Sequence, residues 1–204
     1  MGSICGEARP RGRPREFDAE VALDRAVEVF WRLGYEAADT ETLAQAMGVT
    51  KPSIYAAFGS KEQLFVKALQ RYGQRVRDAM CGAFSCAPSV REGIEAFLAK
   101  VAEDVSGAQN PSGCLHACVA VQSAEAMEPV REVLAAGFAA RDKVLEDFLR
   151  AGVARGELPA DFPVERRAKL MVDLMHSLAL RARSGAGLDE LRACAATAAE
   201  AVLA

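Results

Sequence analysis

The sequence predicts an all-α fold, and three observations lead to that prediction. Apolar residues recur at helical spacing along each long segment, and the strict alternation typical of strands is absent. Residues that cap helices stand at the segment starts, and glycine or proline follows the segment ends. Apolar residues make up 51% of the 204 residues and charged residues 26%, the balance of an ordinary globular chain.

The first segment is a basic arm, residues 1–16, rich in Pro, Gly and Arg. We expect it to be flexible because it buries too little apolar surface to fold alone. The first helix begins after Asp18, a candidate N-cap, and ends at Gly34. Together with the next two helices it forms a predicted N-terminal domain, residues 17–71.

Caps delimit the next three helices. We expect a helix at 41–47 capped by Thr40, and a helix ending at Phe58 capped by Thr50. A capping box of Ser60 and Gln63 opens a fourth helix, which we expect to run to about residue 80. Further helical stretches are predicted near residues 89–107, 113–125, 128–155, 163–184 and 188–203, within a second domain, 72–204.

The two short helices at 41–58 have the spacing of a helix-turn-helix. Gly48, Val49 and Thr50 give a tight turn, and apolar residues on both helices supply a small core. An ordinary helical corner in a bundle has the same spacing, so spacing alone leaves both interpretations open.

The amino-acid sequence of this region is more specific than the spacing of its helices. Residues 30–35 read FWRLGY and residues 43–62 read LAQAMGVTKPSIYAAFGSKE. Over about residues 13–71 the chain resembles the TetR family of bacterial transcriptional regulators. The family often carries His or Tyr before the helix-ending Phe, where this chain has Ala57, so no contact of that kind is expected here.

The resemblance implies a ligand-responsive regulator, usually a repressor, that is released from its operator by a small molecule. It also implies a homodimer that pairs through about residues 163–203. Two helix-turn-helix units about 34–36 Å apart would then read a pseudo-palindromic DNA site.

Candidate DNA contacts follow from the expected outward faces. Lys51 and Ser53 can reach base edges, whereas Pro52 can only touch a thymine methyl, so we expect modest direct readout. Thr42 and Gln45 are also candidate DNA contacts. For each of them, a side chain that is only solvated is an equally good interpretation. Thr50, the predicted cap, is a further candidate. The resemblance implies phosphate contacts by Thr40, Tyr55 and Lys61.

The net charge of −3 requires any phosphate contact to come from local placement of charge. Residues 11–14 read RGRP, which resembles the short core by which AT-hook segments lie in the minor groove. Arg11 and Arg13 are therefore candidate contacts. The alternative is a disordered tail whose charge gives only nonspecific attraction to DNA.

Candidate effector or sensor residues lie in the second domain: Phe97, Cys114, Cys118, Phe138 and Met175. The two cysteines share one face if residues from 113 onward are α-helical. Three interpretations of this pair are open. The cysteines are buried structural thiols, an electrophile or oxidant sensor with a lowered thiolate pKa, or a soft-metal site. His116 would point about 200° away from Cys114, which disfavours a compact Cys-His-Cys site.

Several function classes lack support. There is no Gly-rich phosphate loop, GxSxG or HExxH motif, and only two histidines, so neither an enzyme nor a cofactor or metal site is expected. A helical enzyme and an architectural DNA-binding protein remain the alternatives. Neither a secretory signal nor a membrane span is expected, so we predict a cytoplasmic protein.

Overall fold

The computed structural model describes residues 18–108 and 110–204, and these residues form eight α-helices and no strand. The all-α prediction is confirmed. The helices are α1 (Ala19–Ala37), α2 (Thr40–Met47), α3 (Lys51–Phe58), α4 (Lys61–Ser85), α5 (Val90–Val105), α6 (Glu128–Ala154), α7 (Val164–Arg183) and α8 (Leu188–Leu203). The candidate contacts Arg11 and Arg13 lie outside the described residues.

Local signals fix most helix starts. Asp18 Oδ1 accepts from the amides of Glu20 and Val21, and Thr50 Oγ1 accepts from the amide of Ser53, as predicted. The cap of α2 is Asp39 instead of Thr40, because its carboxylate accepts from the Thr42 amide at 2.7 Å. Thr40 is the first residue of the helix, and its hydroxyl is left for another partner.

Both ends of the capping box at α4 are present. The Gln63 amide donates to Ser60 Oγ at 3.1 Å, and the Ser60 amide donates to Gln63 Oε1 at 2.9 Å. The helix continues past the predicted end at residue 80 to Ser85, because Phe84, one turn after Met80, is buried on the same face. The proposed domain boundary at residues 71 and 72 therefore falls inside one continuous helix.

The predicted end of the first helix also has a backbone cause. Gly34 has φ of +79° and ψ of 176°, which breaks the regular helix, and one more short turn reaches Ala37. Residues with a Cβ rarely adopt this conformation. The break lets Tyr35 turn back onto the core, where its ring lies 5.0 Å from that of Phe65.

The stretch 113–125 is not the α-helix that we predicted. It holds a five-residue π-helical turn, Leu115–Val119, followed by a 3₁₀ turn, Ala120–Ser123. Residues on opposite sides of this segment are buried, so no single α-helical face could satisfy both neighbours. The wider turn points His116 at α4 and Cys118 at α7.

The helices form two regions. Helices α1–α3 are named the head, and helices α4–α8 with the turns between them are named the body. Helix α1 packs on α4, and in the body α5 packs on α8 while α6 packs on α4 and α7. Among the described residues, no helix is both long and apolar enough to cross a membrane.

Candidate DNA interface and ligand cavity

The head holds a helix-turn-helix at 41–58, as predicted. Leu43 on α2 and Ile54 on α3 are each 1% exposed, so a shared apolar core sets the angle between the helices. Gly48 closes α2 in the left-handed conformation, with φ of +70° and its amide bonded to the Ala44 and Gln45 carbonyls. Arg25 on α1 adds a bond from Nη1 to the Met47 carbonyl at 3.4 Å.

The outward face of α3 carries few free hydrogen-bonding groups, as the sequence indicated. Pro52, Ala56 and Ala57 are exposed and have no polar side-chain atom. Thr50 and Ser53 bond each other through their hydroxyls at 2.9 Å. The other exposed polar side chains of this helix are those of Lys51 and Tyr55, and each has a partner on α2.

Lys51 is already paired in the free protein. Its Nζ lies 2.6 Å from Oε2 of Glu41, and both side chains are largely exposed. The hydrogen bond and charge of Glu41 raise the pKa of Lys51. An exposed pair of this kind is weak, so a DNA phosphate or base edge can replace the carboxylate. Sequence reasoning missed Glu41 because nothing local links it to Lys51.

Two residues with implied phosphate roles are adjacent in space. Thr40 Oγ1 and Tyr55 OH are 3.3 Å apart, and the bond between them is exposed to solvent. This bond joins the first turn of α2 to the middle of α3. A phosphate oxygen placed between the two hydroxyls could accept from both.

The remaining candidates lie around this face. Lys61 Nζ donates to the Glu36 carbonyl at 3.3 Å and lies 4.5 Å from the centre of the Tyr35 ring, so its amine is held at the end of α1. Gln45 is exposed beside a shallow depression that Lys51 also lines. Thr42 is half-buried.

The body contains a mostly apolar cavity of about 110 Å³ between α4, α5, α6 and α7. Three of the five predicted effector residues line it: Phe97, Cys114 and Met175. Phe138 does not line it but is 39% exposed, with its ring 4.8 Å from that of His176. Cys118 also lies outside the lining.

The two cysteines and His116 have separate partners. Tyr72 OH donates to Cys114 Sγ at 3.3 Å, and the Cys118 thiol lies 3.6 Å from the Ala179 carbonyl. Burial raises the pKa of Cys118, which disfavours a reactive thiolate there. In the described part of the chain, no group of three or more His, Cys, Asp or Glu side chains could hold a metal ion.

Arg141 on α6 is the feature of the body that sequence reasoning missed. It is 2% exposed, and its Nε and Nη2 have no hydrogen-bond partner among the described residues. Burial lowers the pKa of Arg141. A signal existed in the sequence, because Arg141 interrupts the buried stripe between Leu134 and Leu145.

His116 lies beside Arg141 and is equally buried. Its Nε2 is 2.9 Å from the Leu69 carbonyl of α4, so Nε2 carries the proton and Nδ1 is an acceptor without a partner in the described residues. Burial lowers the pKa of His116 to about 4. A second cavity of about 220 Å³ lies on this side, and both Arg141 and His116 line it.

A helix-turn-helix with an exposed second helix, joined by α4 to a helical body with a cavity, is the architecture of a DNA-binding transcriptional regulator. Comparison with known proteins agrees. The family model for bacterial regulatory proteins of the tetR family matches residues 22–68, and the tetracyclin repressor-like C-terminal domain matches residues 91–199. The chain belongs to the TetR family, and the prediction of a DNA-binding regulator is confirmed.

Individual relatives are similar over nearly the whole chain. The HTH-type transcriptional repressor ComR of Escherichia coli (strain K12) is 31% identical over 93% of this chain and 90% of its own. The repressor BdcR of the same organism is 27% identical over 96% of this chain and 94% of its own. One similar solved structure is that of a cysteine mutant of the TetR family regulator CifR, bound to 26bp operator DNA. Its sequence is 35% identical, and the TM-score is 0.85, with 93% of this chain and 99% of that chain covered.

Proposed function

We propose that the protein is a repressor that binds a pseudo-palindromic operator as a homodimer and is released by a small-molecule effector. The observation that carries this proposal is the continuity of α4, which joins the exposed helix-turn-helix to the wall of the body cavity. Relatives named as repressors, and the structure of CifR on operator DNA, support the DNA-binding half.

In this proposal the base contacts come mainly from Lys51, and Ser53, Gln45 and Thr42 add further contacts. Thr40, Tyr55 and Lys61 bind phosphates, and Thr50 orients Ser53. Helix N-termini favour anions, and α2 and α4 both begin on this face. Phosphate contacts set the register of the protein on DNA but carry no sequence information.

The proposed dimer surface is the outer face of α7 and α8. A shallow groove of about 370 Å³ lies between these helices, lined largely by small or apolar side chains, among them Leu174, Ala193 and Ala201. Small residues allow close helix approach. We expect Ala193→Glu to give a monomer with weak operator binding, whereas Ala99→Glu, on exposed α5 surface, stays dimeric in sedimentation.

Footprinting of the promoter next to the gene tests the function directly. We expect one protected, pseudo-palindromic site, and weakened protection when an effector from a small-molecule screen is added. A truncated protein that lacks residues 1–15 tests the arm at several salt concentrations. Equal weakening on operator and random DNA would assign the arm a nonspecific role. The absence of any footprint at low salt would contradict the proposal.

A second candidate for the signal is an electrophile that reacts with Cys114, since this thiol lines the cavity. Alkylation would then weaken operator binding in the native protein but not in Cys114→Ser. Cys81→Ser, which removes an exposed cysteine, is the matched control. If alkylation leaves DNA affinity unchanged, the sensor role of Cys114 is excluded.

A further inference from the structure

Arg141 holds a positive charge in an environment that does not compensate it. No carboxylate of the described residues lies within 4.0 Å of its guanidinium, and the guanidinium carbon lies 5.3 Å from the centre of the Phe138 ring. Buried charges in proteins are normally paired, because an unpaired one destabilises the folded state. The residue thus has the properties of a binding group whose partner is not part of the chain.

The other ionisable groups around the cavity do not supply that partner. Asp104 lines the cavity but pairs with Lys100, one turn earlier on α5. Asp142, next to Arg141 in the chain, attracts Arg141 electrostatically but forms no ion pair with it, and partial burial raises the pKa of Asp142. His116 and His176 have pKa values lowered to about 4, so both are neutral near pH 7.

We propose that the effector is a monocarboxylate with an apolar body. This inference rests on the proposed function, since it specifies the ligand of the same body cavity. The carboxylate pairs with Arg141, and the apolar body occupies the space lined by Val76, Phe97 and Met175. A single guanidinium matches a monoanion, whereas a phosphate dianion would leave one charge unpaired in an apolar wall.

The test is a thermal-shift titration of the whole protein with straight-chain carboxylates of two to ten carbons. Primary alcohols and amines of the same chain lengths are the matched ligands. We expect saturable Tm increases with carboxylates only. For Arg141→Met the increase disappears, and affinity falls about 10- to 100-fold. Arg141→Lys, which keeps the charge, retains a reduced increase.

The free variant gives a second readout that needs no ligand. Met keeps the apolar stem of Arg141 and removes the uncompensated charge, so we expect the Tm of free Arg141→Met to equal or exceed that of the native protein. A marked fall would show that the guanidinium is already satisfied, and would overturn the proposal. Equal shifts with alcohols and carboxylates, or a shift retained in Arg141→Met, would overturn it as well.

Operator affinity is measured separately: carboxylates that bind through Arg141 but leave DNA binding unchanged contradict the release mechanism, not the anion site.

Discussion

The surface of the head and the interior of the body hold charged and polar groups in different environments. In the head, Lys51 pairs with Glu41 and Thr40 with Tyr55, all at or near the surface. In the body, Arg141 is buried without a carboxylate partner among the described residues. Water and salt weaken the surface pairs, so DNA can replace them at low cost. The buried charge of Arg141 is screened far less, so which ligand pairs with it should depend strongly on the charge of that ligand.

The largest expected effect comes from a core substitution in the head. Ile54→Ala removes a fully buried side chain of the helix-turn-helix and should cost about 2–5 kcal/mol of local stability. Operator binding should be lost while the body stays helical. Urea unfolding followed by Trp31, which lies in the head, and by circular dichroism measures both. Ala57→Ser on the exposed side of α3 is the control, and native-like operator binding by Ile54→Ala would contradict the prediction.

The next effect is a pH dependence that arises from the two histidines, His116 and His176, both in the body. Their pKa values are about 4 when folded and near 6.5 when unfolded, so between these values the unfolded chain binds more protons. Stability is fully present above about pH 6.5 and is lost as the pH falls towards 4. The loss should approach about 3 kcal/mol for His116 and less for the more exposed His176.

Unfolding free energies between pH 7 and pH 4.5 measure this dependence. The variant carrying His116→Gln and His176→Gln should show a smaller slope over the same range. The Glu200→Gln variant, changed on the exposed side of α8, should keep the native slope. A native slope in the double variant would assign the pH dependence to carboxylates.

Within the head, the members of the ion pair should affect DNA affinity in opposite directions. Lys51→Gln should weaken operator binding about tenfold and reduce its salt dependence, because a contact to DNA is lost. Glu41→Gln should strengthen binding several-fold, because a carboxylate beside the phosphates is removed. Fluorescence anisotropy at three salt concentrations distinguishes them. A loss of affinity in Glu41→Gln would mean that the pair orients Lys51.

The smallest effect concerns the Thr40–Tyr55 hydrogen bond. Because both hydroxyls are accessible to solvent, Tyr55→Phe and Thr40→Val should each change stability by less than about 1 kcal/mol. Affinity for operator and for random DNA should fall by similar few-fold factors, since phosphate contacts carry no sequence information. A double-mutant cycle measures the coupling. A selective loss of operator affinity would show that Tyr55 reads bases.

The head was largely predictable because its signals are local. Asp18 and Thr50 cap helices of the head through bonds that span two or three residues, so the sequence contains the whole motif. The one misplaced cap arose because Asp39 and Thr40 are adjacent and both residue types can cap. The pairing of Glu41 with Lys51 was missed because it depends on the angle between two helices.

The body was less predictable because its important contacts join distant segments. The π-helical turn forms where His116 reaches the Leu69 carbonyl and Cys118 reaches that of Ala179, 47 and 61 residues away. Phe138 was predicted to line the cavity because it is apolar, yet helical spacing does not show which face meets a void. Arg141 could have been noticed as a charge within an apolar stripe.

The unbroken course of α4 has a geometric consequence for switching. From Leu69, where His116 contacts it, to its start at Lys61, the helix spans about 12 Å at 1.5 Å per residue. A tilt of about 10° around that contact would displace the start by roughly 2 Å, far more than the few tenths of an ångström over which a hydrogen bond keeps its strength. Because α3 ends just before Ser60, the same rotation in two subunits would change the spacing of their reading helices and take both out of register with the groove.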